Sequence, residues 1–218
     1  VQRHLHLSAL VVAVLVPGCG GRSTFDFVFD EPPPLPEPGV CSLPEGSCST
    51  LRCDLPLEEG MHVSLCEPLA FTTNPPTSGP HYPVWGLFKT YDEPLARGFY
   101  LHDAEHSGIV LLYNCERLAP GGDCSGLVAA LTDYVAEAPQ DPKCVEPTRH
   151  RLIVTPDPLL DVPFAAVAWG HSLKAECFDR AAVDAFVGDY YGKNYEDFCS
   201  GGIDPTDPES GITPGCGL

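Results

Sequence analysis

Three histidines stand where imidazoles could gather on one ion. His81 closes the turn-forming run Asn74-Pro75-Pro76-Thr77-Ser78-Gly79-Pro80-His81, and His102 and His106 bracket Asp103-Ala104-Glu105. Neutral imidazole is a ligand for zinc, copper, iron or nickel. A spacing of four puts two side chains on one face of a helical turn, about 5–6 Å apart at Cβ. The same two residues in a strand would stand about 13 Å apart, at about 3.3 Å per residue. A shared ion therefore demands a turn at 102–106, and Gly98 and Gly108 on either side permit one. His62 is the best fourth ligand. Glu105 is expected behind the ligands, as an acceptor that orients an imidazole, because neighbouring His106 leaves little room for both side chains on one ion. The expected cofactor is a transition metal, copper or zinc. Two other readings stay open: a polar network in which the histidines are structural, and catalysis without a metal. His171, after a strand end, is a weaker ligand candidate. His150, between Arg149 and Arg151, is expected on the solvated surface, and Trp169 in the core.

Other chemistries fit less well. His102-Asp103-Ala104-Glu105-His106 also has the H-x-x-E-H form of an inverted zinc protease. That chemistry needs the motif well inside a helix, whereas Ser107-Gly108 and a strand follow at once. A metal-dependent hydrolase is thus disfavoured. Neither Ser78 nor Ser107 lies in a G-x-S-x-G elbow, and no glycine-rich phosphate loop follows a strand. The cysteines contain no C-x-x-C pair, so a zinc ribbon and a redox dithiol both lack support. No catalytic residue is assigned, and a binding module is favoured over an enzyme.

The cysteines do speak to compartment. Eleven are present. Cys19 follows Gly18 and an apolar run over residues 5–16, too short to span a bilayer, which takes about 20 residues. This pattern resembles the bacterial lipobox. Residues 1–18 are then a signal peptide, Cys19 the lipidated first residue, and 19–40 a Pro- and Gly-rich tether in extended conformation. The expected place is the bacterial cell envelope, facing the periplasm or exterior, with the membrane as partner through the anchor. The other ten, Cys41, Cys48, Cys53, Cys66, Cys115, Cys124, Cys144, Cys177, Cys199 and Cys216, are an even set and are expected to form five disulfides. Cys115 and Cys124 are the expected local pair, across the turn holding Pro120-Gly121-Gly122. The net charge of −18 argues against nucleic acid as a partner, since phosphates would be repelled, and serves solubility.

The elements that must position these groups follow from hydrophobic pattern. Residues 41–66 read as small disulfide-closed loops, and 71–98 as a long loop-rich segment. Ile109-Val110-Leu111-Leu112-Tyr113 is a short β-branched apolar run, hence a buried strand. Leu127, Ala130, Leu131, Tyr134 and Val135 recur at helical spacing, with Ser125 as the expected N-cap and Pro139 as the stop. Leu152-Ile153-Val154-Thr155 is a second strand stopped by Pro156, and 164–169 a third. A second helix spans 181–191, capped by Asp179. The first two strands should run parallel through a right-handed crossover, and the third should return antiparallel. The expected fold is α+β: one disulfide-stapled domain over 41–200 with a strand-helix-strand-strand-helix layered core, then an irregular tail at 201–218.

The motif order resembles a known family. Asn74-Pro75-Pro76-Thr77-Ser78-Gly79-Pro80-His81, Pro83-Val84-Trp85-Gly86, Tyr91-Asp92-Glu93-Pro94, His102-Asp103-Ala104-Glu105-His106 and Ala168-Trp169-Gly170 look like the bacterial domain-of-unknown-function family 3105. His62-Val63 is similar to the pair that opens its domain. The likeness covers about residues 60–192 and implies a secreted or membrane-anchored protein, with no activity attached. The family usually has two glycines after Glu-His, where this chain has Ser107-Gly108.

Overall fold

In the computed structural model, residues 39–43, 48–118, 123–194 and 196–218 are described. The expected signal peptide, Cys19 and all of the tether but its last residues lie outside them. The apolar run at 109–113 is strand β3 (Ile109–Tyr113), buried at every position. It pairs in parallel with β4 (Leu152–Pro156) and antiparallel with β5 (Phe164–Ala168), as the pattern predicts. Pro156 does not stop β4 but ends it in register with Tyr113. After a short helix α2 (Cys115–Leu118), helices α3 (Ser125–Glu137) and α4 (Arg180–Tyr190) also stand where the spacing put them. The Asp179 carboxylate accepts from the Ala181 and Ala182 N–H groups, a side-chain N-cap. Ser125 is not the cap of α3. It is the first helical residue, Cys124 holds the cap position, and Asp123 accepts from the Ser125 N–H instead.

The sheet is larger than the sequence pattern suggested. It has six strands in the order β1-β2-β6-β5-β3-β4, adding β1 (Val40–Ser42), β2 (Thr50–Asp54) and β6 (His171–Ala175). The segment read as disulfide-closed loops is thus partly a strand pair, with Cys41 opposite Cys53 and bonded to it. Polar residues interrupt β2 and β6, so their pattern is too weak to stand out. Trp169 and Gly170 join β5 to β6, and Gly170 has φ +80°, a conformation that favours glycine.

Alternation in the central strands sends residues to two cores. Ile109, Leu111, Val154, Phe164 and Ala166 pack under α3 and α4 through Leu131, Val135, Val183 and Phe186. Val110, Leu112, Ile153, Ala165 and Val167 pack on the other face against α1 (Arg97–Glu105) and the 82–96 loop, with Trp169 inside as expected. The layers are therefore helix, sheet, and helix with loops. Eight of the nine α1 residues are buried. A helix buried all round carries no amphipathic stripe, which is why periodicity shows only a turn there.

All ten cysteines outside the N-terminal segment pair, as Cys41–Cys53, Cys48–Cys177, Cys66–Cys216, Cys115–Cys124 and Cys144–Cys199. The Cys66–Cys216 bond spans 150 residues and fastens the tail to the start of the domain. Five disulfides suit an oxidising, extracytoplasmic compartment. No helix among the described residues is long and apolar enough to cross a membrane.

Candidate metal centre

The last two turns of α1 carry His102 and Glu105, with His106 as the C-cap. The helix ends as a Schellman motif: Ser107 N–H bonds Ala104 O at 3.1 Å, and Gly108 N–H bonds Asp103 O at 2.9 Å. Ser107 takes the left-handed position, φ +64°. A non-glycine residue there costs about 1–2 kcal/mol. Its hydroxyl offsets that by accepting from Asn194 N–H (3.0 Å) and donating to Glu196 O (3.3 Å), which fixes the 194–196 segment beside the helix end.

The loop containing His81 is pinned from the other side. Gly170 N–H donates to Thr77 O at 2.7 Å, so the β5–β6 turn holds the Pro-rich run in place. His62 and His81 lie side by side in a one-residue parallel bridge, with Val63 N–H on His81 O and His81 N–H on Met61 O, both 2.9 Å. The three rings converge: centroids are 5.0 Å apart for His62–His81, 4.8 Å for His62–His102 and 4.8 Å for His81–His102. One ligand atom from each of His62, His81, His102 and Glu105 lies within 4.8 Å of all the others. This set is geometrically able to hold a metal ion. His62 is exposed, while His81, His102 and Glu105 are buried.

Both buried rings are oriented by backbone. His81 Nδ1 donates to Gly79 O (2.8 Å) and His102 Nδ1 to Tyr82 O (2.7 Å), because a carbonyl can only accept. Each Nε2 is therefore turned into the cluster. His81 Nε2 faces Glu105 Oε2 at 3.0 Å without forming a hydrogen bond. His102 Nε2 meets His106 Nε2 at 3.1 Å. Gly60 abuts the far oxygen of Glu105: a Cβ there would fall 2.4 Å from Oε1. Trp169 stands against His81, and Trp85 against His102 and His106.

His106 joins a second group, with Glu105 and Glu196, whose ligand atoms also lie within 4.8 Å of one another. Its Nε2 is 3.2 Å from Glu196 Oε2. Glu196 drew no attention in the sequence, because nothing local connects it to His106. Asp103 is fully buried and faces the Gly86 loop, where it accepts from Gly86 N–H at 2.9 Å. Burial pushes its carboxyl pKa well up. His171 is not brought to the cluster. It stacks on Tyr190 and bonds Asp54 at 2.7 Å. His150 is buried, not solvated: its ring bonds the Val135 backbone near the end of α3.

Burial lowers the pKa of His102 to about 4, helped by the nearby His81 and His62 rings and opposed by its bond to Tyr82 O. Burial lowers that of His106 to about 3, helped by His102. Both rings stay neutral at physiological pH, with the lone pairs an ion needs. The cost appears in acid. An unfolded histidine titrates near 6.5, so below that pH the unfolded chain takes up protons that the folded one refuses. Metal-free protein should lose stability as pH falls from 6.5 towards 4, by at most about 1.4 kcal/mol per pH unit for each ring. His150, also lowered chiefly by burial, acts in the same direction. Thermal melts between pH 7 and pH 4.5 read this out, and an invariant midpoint would contradict the burial of neutral rings.

Against this geometry the chain was compared with known proteins. Residues 62–201 match the family described as Protein of unknown function (DUF3105). The chain belongs to the DUF3105 family. Searches of curated proteins and of solved structures return no match. Every residue of the two side-chain groups, from His62 to Glu196, lies within the segment matched to DUF3105.

Proposed function

We propose that this DUF3105 protein is a lipid-anchored envelope module that captures a transition metal, zinc or copper, through His62, His81 and His102, with Glu105 as an oxygen ligand. The supporting observation is hydrogen-bond polarity. With Nδ1 of His81 and His102 donating to carbonyls, the Nε2 lone pair of His81 is turned toward the Glu105 carboxylate without a hydrogen bond, while that of His102 faces His106 Nε2 at 3.1 Å. Buried acceptors that face one another are costly, and a cation removes the cost. The imidazole-to-carbonyl bond is also the outer contact that metal-ligating histidines almost always make. Exposed His62 is the side from which an ion would arrive. Three imidazoles and a carboxylate suit zinc or copper better than a hard cation such as magnesium.

A second reading is a purely structural network. The 3.0 Å approach of Glu105 to His81 favours it, since a second proton on His81 would make the contact a buried ion pair. Metal content separates the two. The processed chain, purified without chelators, should carry zinc or copper as measured by plasma mass spectrometry. A chain that is metal-free and takes up neither ion from solution would leave only the network.

The anchor rests on the apolar run ending at Gly18-Cys19, and on the disulfides that require export. Cys19→Ala should block processing or release the protein from the membrane fraction. Normal cleavage with unchanged membrane retention would remove the lipid from this account.

A further inference from the structure

The second ligand group shares one residue with the first. Glu105 belongs to the set of His62, His81 and His102, and also to the set of His106 and Glu196. We propose that the cluster is a dinuclear centre bridged by Glu105: one ion on His62, His81 and His102, the other on His106 and Glu196. The inference rests on the metal-binding reading of the first set and extends it to a second ion.

Three features support two positions. A carboxylate has two oxygens and about four lone-pair directions, enough to serve two ions about 3.5–4 Å apart. Oε2 lies at His81, and Oε1 occupies the space that Gly60 leaves open. The contact between His102 Nε2 and His106 Nε2, 3.1 Å, is the second. His102 Nε2 has no proton, so in the metal-free protein a proton on His106 Nε2 must lie between the two nitrogens. Once an ion takes the His102 lone pair, that proton has no acceptor there. His106 Nε2 can then donate to Glu196 or, after the proton moves to Nδ1, turn its own lone pair toward an ion beside the Glu105 and Glu196 carboxylates.

The third feature is how firmly Glu196 is placed. Its side chain is 38% exposed, yet the backbone around it is tied on several sides. The Ser107 hydroxyl holds Asn194 N–H and Glu196 O, and the Asn194 amide donates to Glu105 O at 2.7 Å. Arg151 grips Asp197 at 2.7 Å, and Cys199 is bonded to Cys144. Phe198 covers His106, with ring centroids 4.0 Å apart. A carboxylate that served only solubility would need none of this.

The donor sets also differ. The first is rich in imidazole; the second has one imidazole and two carboxylates. Such a mixed, oxygen-rich set takes zinc, manganese or iron, and has no thiolate or thioether to favour copper(I). Zinc suits both positions.

Zinc titration of the full processed chain, with stoichiometry read by calorimetry and by plasma mass spectrometry after dialysis, tests this. The expected result is two zinc ions per chain for the wild type and one for Glu196→Gln. Glu196→Gln is isosteric and partly exposed, so its metal-free melting midpoint should equal that of the wild type. His106→Ala should also fall to one. Cobalt(II) loaded at two equivalents should show magnetic coupling that Glu196→Gln abolishes. One zinc per chain in the wild type, unchanged in Glu196→Gln, would overturn the dinuclear centre and leave the single-ion reading standing, with His106 donating its proton to Glu196. Two ions in all three proteins would also overturn it, by placing the second ion elsewhere. No zinc at all would overturn the reading on which it rests.

Discussion

Replacing His102 by alanine should cost the domain its tight ion. His102 is buried, its Nδ1 is fixed to Tyr82 O at 2.7 Å, and its Nε2 lies where both ligand groups meet. Losing an outer hydrogen-bond partner of a ligand histidine already costs about 10–100-fold in affinity, and losing the ligand itself should cost on the order of 100-fold or more. His81→Ala should behave alike, because Glu105 Oε2 faces its Nε2 at 3.0 Å. His62→Ala should cost less, since an exposed side chain can be replaced by water. His150→Ala and His171→Ala should leave affinity unchanged, as both rings lie away from the cluster. Competition against a chromophoric chelator measures all five. The thermal midpoint supplies an independent reading: an ion at about 100 times its dissociation constant adds about 2.7 kcal/mol to stability, and His102→Ala should lose that increment. Wild-type affinity in His102→Ala would end the proposal that these histidines hold the metal.

The largest stability effect is expected at Arg151, which in the sequence is only a neighbour of His150. Its guanidinium is 3% exposed and bonds Asp141 at 2.8 Å and 3.1 Å, Asp197 at 2.7 Å and His106 O at 3.2 Å. Tyr191 completes the group, donating its hydroxyl to Asp141 at 2.7 Å and accepting from the Arg151 backbone N–H at 2.9 Å. Arg151 thus joins β4, the end of α1 and the segment that carries Glu196. Truncating one partner of a buried ion pair strands the other and costs about 3–5 kcal/mol. For a domain of this size, Arg151→Ala should lower the melting midpoint by about 10 °C. Arg151→Lys should recover only part of the loss, because a single ammonium cannot reproduce the planar fork that reaches three acceptors. A midpoint within about 2 °C of the wild type in Arg151→Ala would show that the network adds little net stability.

Much of the frame was legible from residue order. The apolar run at 109–113, the helical spacing at 127–135 and the Asp179 cap are local signals, and local signals survive folding unchanged. The even cysteine count gave five bonds because an exported chain leaves few thiols free, and Cys115 bonds Cys124, the local pair expected from their short separation. A shared ion on His102 and His106 required a helical turn between them, and a helix is there.

Other features had no local signature. Helix α1 is buried on nearly every side, so no stripe marks it, and strands β1, β2 and β6 are short and mixed in polarity. His150 reads as solvated between two arginines until its contact with the Val135 backbone is seen. The candidate centre is the clearest case. Sequence spacing joins His102 to Glu105 and His106, because one helical turn does so for any chain. It does not bring His81 Nε2 to Glu105, set His62 beside His81, or carry Glu196 to a histidine 90 positions earlier. Those meetings depend on the order of six strands, the β5–β6 turn that clamps Thr77 and the Cys144–Cys199 bond near Glu196. Sequence by itself determined which residue types were on hand and which neighbours each would have within a turn or a strand. Only the tertiary structure decided which lone pairs face one another, since that is set by contacts between segments far apart in the chain.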